Sequence, residues 1–154
     1  MKPDTYFTVP FEMGQVVVHI KGDGGVTAIE FDLEGRYGEK KNDFRLGTDM
    51  ARYFEGEEVT WNVELDLGGV GDFKRRVYNR VASIPYGQLS TYGEIARDIG
   101  CSGGGRAVGQ AMAGNRFPLI VPCHRVIAWN RAIGGFSSGI SLKRYLLQLE
   151  GVDL

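Results

Sequence analysis

The sequence predicts an α+β protein: a small N-terminal α/β domain with an antiparallel sheet, then a mostly helical C-terminal domain with a winged-helix-like helix-turn-helix. Three observations carry that reading. β-branched and alternating apolar runs are concentrated before residue 70, and apolar residues at three- to four-residue steps dominate after it. The charge also changes sign at Gly68-Gly69-Val70-Gly71: residues 1–70 hold 7 Lys+Arg against 14 Asp+Glu, a net −7, whereas residues 71–154 hold 11 against 5, a net +6. At 154 residues the chain has the size of one ordinary domain or of two small ones. The domain boundary is therefore set between 1–70 and 71–154.

The first half reads as strand, hairpin, helix, strand. Gly14-Gln15-Val16-Val17-Val18-His19-Ile20 is β-branched, and Gly25-Val26-Thr27-Ala28-Ile29-Glu30-Phe31 alternates apolar and polar. Lys21-Gly22-Asp23-Gly24 between them has turn chemistry, so the pair forms a hairpin. Phe44, Leu46, Met50, Tyr53 and Phe54 place a helix over 43–55, ended by Gly56. Residues 59–65 then alternate like a strand. His19 is isolated and reads as a structural or surface histidine.

The second half begins with a helix marked by Phe73, Val77, Val81 and Ile84 and stopped by Ile84-Pro85-Tyr86-Gly87. Thr91-Tyr92-Gly93-Glu94 fits a capping box, in which Thr91 and Glu94 each satisfy a free backbone donor, and a short helix with Ile95, Ala96 and Ile99 follows. After Gly100 and the turn Cys101-Ser102-Gly103-Gly104-Gly105, a second short helix spans 106–113, with Ala107, Val108, Ala111 and Met112 available for packing. Helix, glycine-containing turn, helix is the helix-turn-helix outline. The second helix carries few side chains able to reach base edges, chiefly Arg106 and Gln110 among Gly105, Ala107, Gly109, Ala111, Ala113 and Gly114. So smooth a helix suits either sequence-tolerant approach to a narrow or shallow groove or close packing on a neighbouring helix.

Composition excludes several classes. With 43% apolar and 24% charged residues and no run of about 18 apolar residues, the chain reads as soluble and folded, with no membrane segment. Met1-Lys2-Pro3-Asp4-Thr5-Tyr6 lacks the apolar core of a signal peptide, so a cytoplasmic location is expected. Two cysteines and two distant histidines are too few for a disulfide framework or a cysteine-based zinc site, so no metal is expected. The split charge fits a second half that faces a polyanion, and equally two halves that attract each other.

Val121-Pro122-Cys123-His124-Arg125-Val126-Ile127 sets a cysteine beside a histidine and an arginine. Neighbouring imidazole and guanidinium groups can lower a thiol pKa from about 8.5. Adjacent residues of an extended strand point to opposite faces, however, so a buried inert cysteine fits the dipeptide as well.

That string, preceded by Arg106-Ala107-Val108-Gly109-Gln110-Ala111-Met112 and Gly114-Asn115 and followed by Gly135-Phe136-Ser137-Ser138-Gly139 and a Leu-rich terminal helix, closely resembles the O6-alkylguanine-DNA alkyltransferases. The resemblance is specific over 71–154; over 1–70 it extends only to length and element order. It implies a DNA repair protein that flips O6-alkylguanine out of duplex DNA and transfers the alkyl group irreversibly to its own cysteine, once per molecule, without a cofactor. Cys123 matches the nucleophile, His124 its water-mediated general base, and Glu150 the acid that orients the histidine. Tyr92 matches the tyrosine that donates a hydrogen bond to the guanine near the DNA backbone. Val126 and Ser137 match residues that hydrogen-bond the base, Phe136 stands where some members carry tyrosine, Asn115 matches a buttress of the active-site turn, and Arg125 makes structural contacts. Arg106 matches the arginine that fills the vacated stack, and Gly105, Ala107 and Gln110 lie with it on the minor-groove surface. The implied partner is double-stranded DNA, met through its minor groove by a monomer. Residues 71–154 are expected to meet DNA with salt-sensitive affinity, with 1–70 as a supporting domain that faces away. Cys101 has no assigned role.

Three other activities compete with this one. An alkyltransferase-like binding module generally lacks the reactive cysteine, a thiol hydrolase would need an oxyanion-hole signature, and a sequence-specific regulator would need more base-reading side chains on the second helix.

Overall fold

In the computed structural model, which describes residues 5–41 and 44–154, the chain divides into two units, one ending at Leu67 and one running from Gly68 to Leu154. Residues 1–4, read for a signal peptide, and position 43, the expected start of the first helix, lie outside the described residues. The architecture is mixed α+β.

The first unit is built on β1 (Thr5–Phe11), β2 (Gly14–Ile20) and β3 (Val26–Asp32), antiparallel in that order. The β-branched run is its central strand. Val16, Val17 and Val18 are each fully buried, so side chains on both faces of the strand are covered. Register places Val16 between Val9 and Phe31, and Val18 between Phe7 and Ile29. The helix α1 (Arg45–Phe54) buries Met50 and Tyr53, and Phe54 stacks on Phe11 with ring centroids 4.6 Å apart. It stops where the Glu57 N–H reaches back to the Arg52 carbonyl across Gly56. His19 is paired locally with Glu30 at 2.8 Å.

Residues 59–65 correct the sequence reading. Their half-buried and exposed positions alternate as expected, yet the segment is not a strand: it meets β3 only at a single bridge, Val26 to Leu65. The Val26 N–H donates to the Glu64 carbonyl and the Asp66 N–H to the Val26 carbonyl. Alternation reports a two-sided extended chain, whereas a strand also needs a ladder of partners.

The second unit opens with α2 (Asp72–Ala82), which buries Val77, Tyr78 and Val81. A short strand β4 (Ser90–Thr91) leads directly into α3 (Tyr92–Asp98), and α4 (Gly105–Ala113) follows. Thr91 Oγ accepts the Glu94 N–H at 3.1 Å, but the Glu94 carboxylate takes the Ser90 hydroxyl instead of completing a reciprocal capping box. Gly100 ends α3, with the Cys101 N–H donating to the Ala96 carbonyl. The next turn needs its glycine: a Cβ on Gly104 would stand 2.7 Å from the Cys101 carbonyl oxygen. In α4, Val108, Ala111 and Met112 are buried as expected, whereas Ala107 is exposed, at the edge of that stripe in the first turn of the helix.

A 3-10 turn (Cys123–Arg125) runs into β5 (Val126–Ile127), which pairs in parallel with β4. This pairing, Ser90 with Val126 and Thr91 with Ile127, brings the start of α3 beside the Cys-His-Arg turn. The last helix, α5 (Ile140–Leu149), buries Leu142, Lys143, Leu146 and Leu147. Among the described residues, no helix is long and apolar enough to cross a membrane.

Candidate active site

Proline sets the approach to Cys123. Pro122, at φ −78° and ψ 69°, forms an inverse γ-turn, closed by the Cys123 N–H donating to the Val121 carbonyl at 2.7 Å. The Arg125 N–H then donates to the Pro122 carbonyl at 2.9 Å, which starts the 3-10 turn. Asn115 braces this segment from both ends: its amide nitrogen donates to the Val121 carbonyl and its oxygen accepts from the Phe117 N–H, both at 2.9 Å. Within the braced loop, buried Leu119 takes a left-handed conformation, φ 74°. Such a conformation costs about 1–3 kcal/mol in a residue with a side chain, so the surrounding hydrogen bonds and packing must hold it.

Cys123, His124 and Arg125 are all buried within this 3-10 turn. Glu150 lies immediately after α5 and collects four donated bonds. His124 Nε2 lies 2.6 Å from one oxygen, and Arg125 donates Nε at 2.8 Å and Nη2 at 3.0 Å. The Gly87 N–H adds a fourth at 3.0 Å. Arg125 Nη1 also donates to the Ile84 carbonyl, so the residues that stop α2 serve the same network.

The electrostatics follow from burial and pairing. Burial opposes the charge on Glu150, but the bonds from His124 and Arg125 outweigh it and hold the carboxyl well below the usual range. Burial depresses the basicity of His124, opposed by its bond to Glu150. A neutral imidazole that donates Nε2–H to Glu150 presents Nδ1 as an acceptor. Burial raises the Cys123 thiol, against the bond from Asn115 and the charge on Lys143. The resting group is therefore a thiol, next in the chain to a buried imidazole held by a carboxylate.

Lys143 was not singled out from the sequence. It is fully buried, and its ammonium donates to the Val126 carbonyl at 2.7 Å and the Gly135 carbonyl at 3.1 Å. It thus ties β5 to the glycine-rich loop. Burial lowers its pKa to about 8, partly offset by Cys123. The signal was present as spacing: positions 143, 147 and 150 lie on one line of a helix, and all three are buried.

Cys123 opens into a cavity of about 50 Å³, lined also by Tyr92, Gly135, Phe136 and Ser137. The Tyr92 hydroxyl lies 3.5 Å from the Gly135 carbonyl oxygen, and burial followed by the neighbouring Cys123 charge raises its pKa. Val126 is buried, and its carbonyl already accepts from Lys143; a carbonyl oxygen has a second lone pair. Beside the cavity lies an open groove of about 590 Å³ lined by Tyr92, Gly105, Arg106 and Gln110. Ala107 is exposed next to that groove rather than in its wall. The structure thus gathers His124, Arg125 and Glu150 into one network next to Cys123 in the chain, with Asn115 bracing the segment before it and Tyr92 at the edge of both cavity and groove. Among the described residues, no three His, Cys, Asp or Glu side chains converge as a metal site.

Residues 72–152 match the family model for the DNA-binding domain of 6-O-methylguanine DNA methyltransferase. The methylated-DNA–protein-cysteine methyltransferase of Mycobacterium tuberculosis is 50% identical over 101 residues, 66% of this chain; the chain spans 61% of that relative's length. The protein of the same name from Methanothermobacter thermautotrophicus is 40% identical over 140 residues, covering 86% of this chain and 78% of the relative. The crystal structure of Mycobacterium tuberculosis OGT in complex with DNA superposes with a TM-score of 0.80 and 38% identity, over 95% of this chain and 92% of that one.

Proposed function

The chain belongs to the 6-O-methylguanine DNA methyltransferase family, and from that premise we propose that it repairs duplex DNA by moving an alkyl group from guanine O6 to Cys123. The observation that carries this reading is buried Cys123, adjacent in the chain to the buried His124-Arg125-Glu150 network and open to a cavity beside a helix with few side chains. Cys123 gives up its proton through water to His124, whose imidazolium is stabilised by Glu150. The sulfur attacks the alkyl carbon, a C–S bond forms, the C–O bond breaks, and guanine leaves with the electron pair. Tyr92 donates a hydrogen bond to the departing base, while Phe136 stacks on it and Val126 and Ser137 hold its polar edge. The product thioether is a poor leaving group with no second thiol placed to exchange it, so each molecule acts once.

The carbon at O6 is shielded while its base is stacked, so the nucleotide must rotate out of the duplex. Arg106 fills the space left behind, and α4, through Gly105, Ala107 and Gln110, lies in the minor groove. The net +6 of residues 71–154 supports this half as the DNA-binding and transfer domain, with α3 and α4 as its winged-helix-like helix-turn-helix and 1–70 as support. The cavity at Cys123, walled by Tyr92, Gly135, Phe136 and Ser137, receives the alkylated base. The protein works as a monomer in the cytoplasm and without a cofactor.

The test is the stoichiometry of methyl loss from an excess of duplex containing O6-methylguanine. Removal that saturates at one methyl per protein supports the proposal. Duplex that is bound but keeps every methyl group overturns it in favour of a damage-binding module.

A further inference from the structure

Tyr78 is 2% exposed on the buried face of α2, one residue after Val77 and three before Val81. A buried tyrosine needs a partner for its hydroxyl, and these apolar neighbours on α2 supply none. The partners come from the end of α4. Tyr78 Oη donates to the Gly114 carbonyl at 3.4 Å and accepts the Arg116 N–H at 3.3 Å. Gly114 caps α4 at a point where carbonyls have no partner within the helix. The two groups belong to the peptide units that flank the Asn115 Cα, so one hydroxyl, used as donor and as acceptor, pins the backbone on both sides of that residue. The Tyr78 ring stands edge-on to buried Phe117, with centroids 6.2 Å apart and planes at 88°. Burial raises the Tyr78 pKa, opposed by Arg116, so the hydroxyl keeps its proton and its donor.

Pinning the Asn115 backbone sets where its carboxamide begins. That carboxamide reaches the Phe117 N–H and the Val121 carbonyl, both at 2.9 Å. The Val121 oxygen also accepts the Cys123 N–H at 2.7 Å, the bond that closes the inverse γ-turn. A single carbonyl oxygen therefore joins the side chain held by Tyr78 to the backbone of the reactive cysteine. The connection starts on a helix that lines neither the cavity at Cys123 nor the groove along α4.

Resting on the alkyltransferase reading, we propose that Tyr78 is a positioning residue for the transfer step: its hydroxyl fixes the Asn115 backbone and, through the Val121 carbonyl, the placement of the Cys123 sulfur. Displacing an attacking atom by a fraction of an ångström lowers the rate of a displacement even when every reacting group is present. Tyr78 lines no surface that a base or duplex would meet, so it acts on the rate of transfer and not on capture of the substrate.

The experiment follows benzyl transfer from free O6-benzylguanine to Cys123 in single-turnover reactions over a range of base concentrations. It compares the wild type, Tyr78→Phe, Asn115→Ser and the double variant. Tyr78→Phe keeps the ring against Phe117 and removes both hydrogen bonds. Its limiting rate is expected to fall about fivefold, with the half-saturating base concentration and the final stoichiometry unchanged. In the Asn115→Ser background, whose shorter side chain breaks the link to Val121, Tyr78→Phe is expected to change the rate by less than about twofold. Amide hydrogen exchange gives a second reading that needs only the single variant: in Tyr78→Phe both the Arg116 and the Cys123 amides are expected to exchange faster than in the wild type. A wild-type limiting rate in Tyr78→Phe overturns the positioning role. So does a loss of stoichiometry at an unchanged rate, a rate loss of the same size in the Asn115→Ser background, or faster exchange confined to Arg116. Each of these leaves the alkyltransferase reading intact, whereas a wild-type protein that takes no benzyl group removes both.

Discussion

The Lys143 ammonium, with no solvent exposure, donates at 2.7 Å to the carbonyl of Val126, three residues downstream of Cys123. A buried lysine is retained against the cost of its own desolvation, and here that cost lowers its pKa to about 8. Its second bond, to Gly135, joins β5 to the glycine-rich loop that lines the cavity at Cys123.

Lys143→Met keeps the length of the side chain but removes both donors and the charge facing Cys123. Alkyl transfer to free O6-benzylguanine is expected to slow by about tenfold or more. In the wild type, deprotonation of Lys143 above about pH 8 removes the same charge, so the two rate profiles should converge as pH rises past that point. Profiles that stay parallel from pH 7 to 9 would show that the charge is not used.

Glu150→Gln leaves His124 and Arg125 buried without their anion. Loss of one partner of a buried pair costs about 3–5 kcal/mol, which urea unfolding at pH 7 would register. The pH dependence has a definite sign. The folded carboxyl is held below its ordinary value of about 4.3, so its contribution is complete above that value and is lost as pH falls below it. Glu150→Gln should therefore lose less stability than the wild type on acidification below about pH 4.3.

Tyr92→Phe deletes a hydroxyl that makes only a 3.5 Å contact with Gly135 and keeps the ring that packs at Gly134. The fold should be stable to within about 1 kcal/mol. The transfer rate at saturating duplex should fall by about tenfold or more, as measured in single-turnover reactions. A full rate in Tyr92→Phe would remove the hydroxyl from the mechanism.

Arg106→Ala separates extrusion from chemistry. Arg106 is exposed on α4, outside the Glu150 network, so reaction with a free alkylguanine base should be retained while repair of duplex DNA drops by an order of magnitude or more. Equal loss of both would contradict the stack-filling role.

The elements legible in the sequence were those with local periodicity and a local stop. The Val16 to Val18 run, the turn before Gly25, and the helices ending at Gly56 and Gly100 are encoded within a few residues each. Non-local pairing was not. Residues 59–65 carry a strand-like alternation but make only one bridge, and β4 and β5, two residues each, are too short to show any period. Glu94 was read as a capping partner because its spacing to Thr91 is right, while a neighbouring serine takes its carboxylate. The reactive string Cys123-His124-Arg125 was plain as a motif, but its geometry was not: the inverse γ-turn at Pro122 and the 3-10 turn after it replace the extended strand that the flanking apolar runs suggested. Lys143 and Tyr78 escaped notice for different reasons. One is a charge hidden in an apolar stripe, and the other a hydroxyl whose partners lie 36 and 38 residues away in the chain.

The most direct measurement is a peptide mass map of the protein after reaction with duplex DNA containing O6-methylguanine. The expected result is a single methyl adduct, on the peptide bearing Cys123 and absent from Cys123→Ala. A methyl group on Cys101, or an unmodified Cys123 after the DNA has lost its methyl group, would contradict the account.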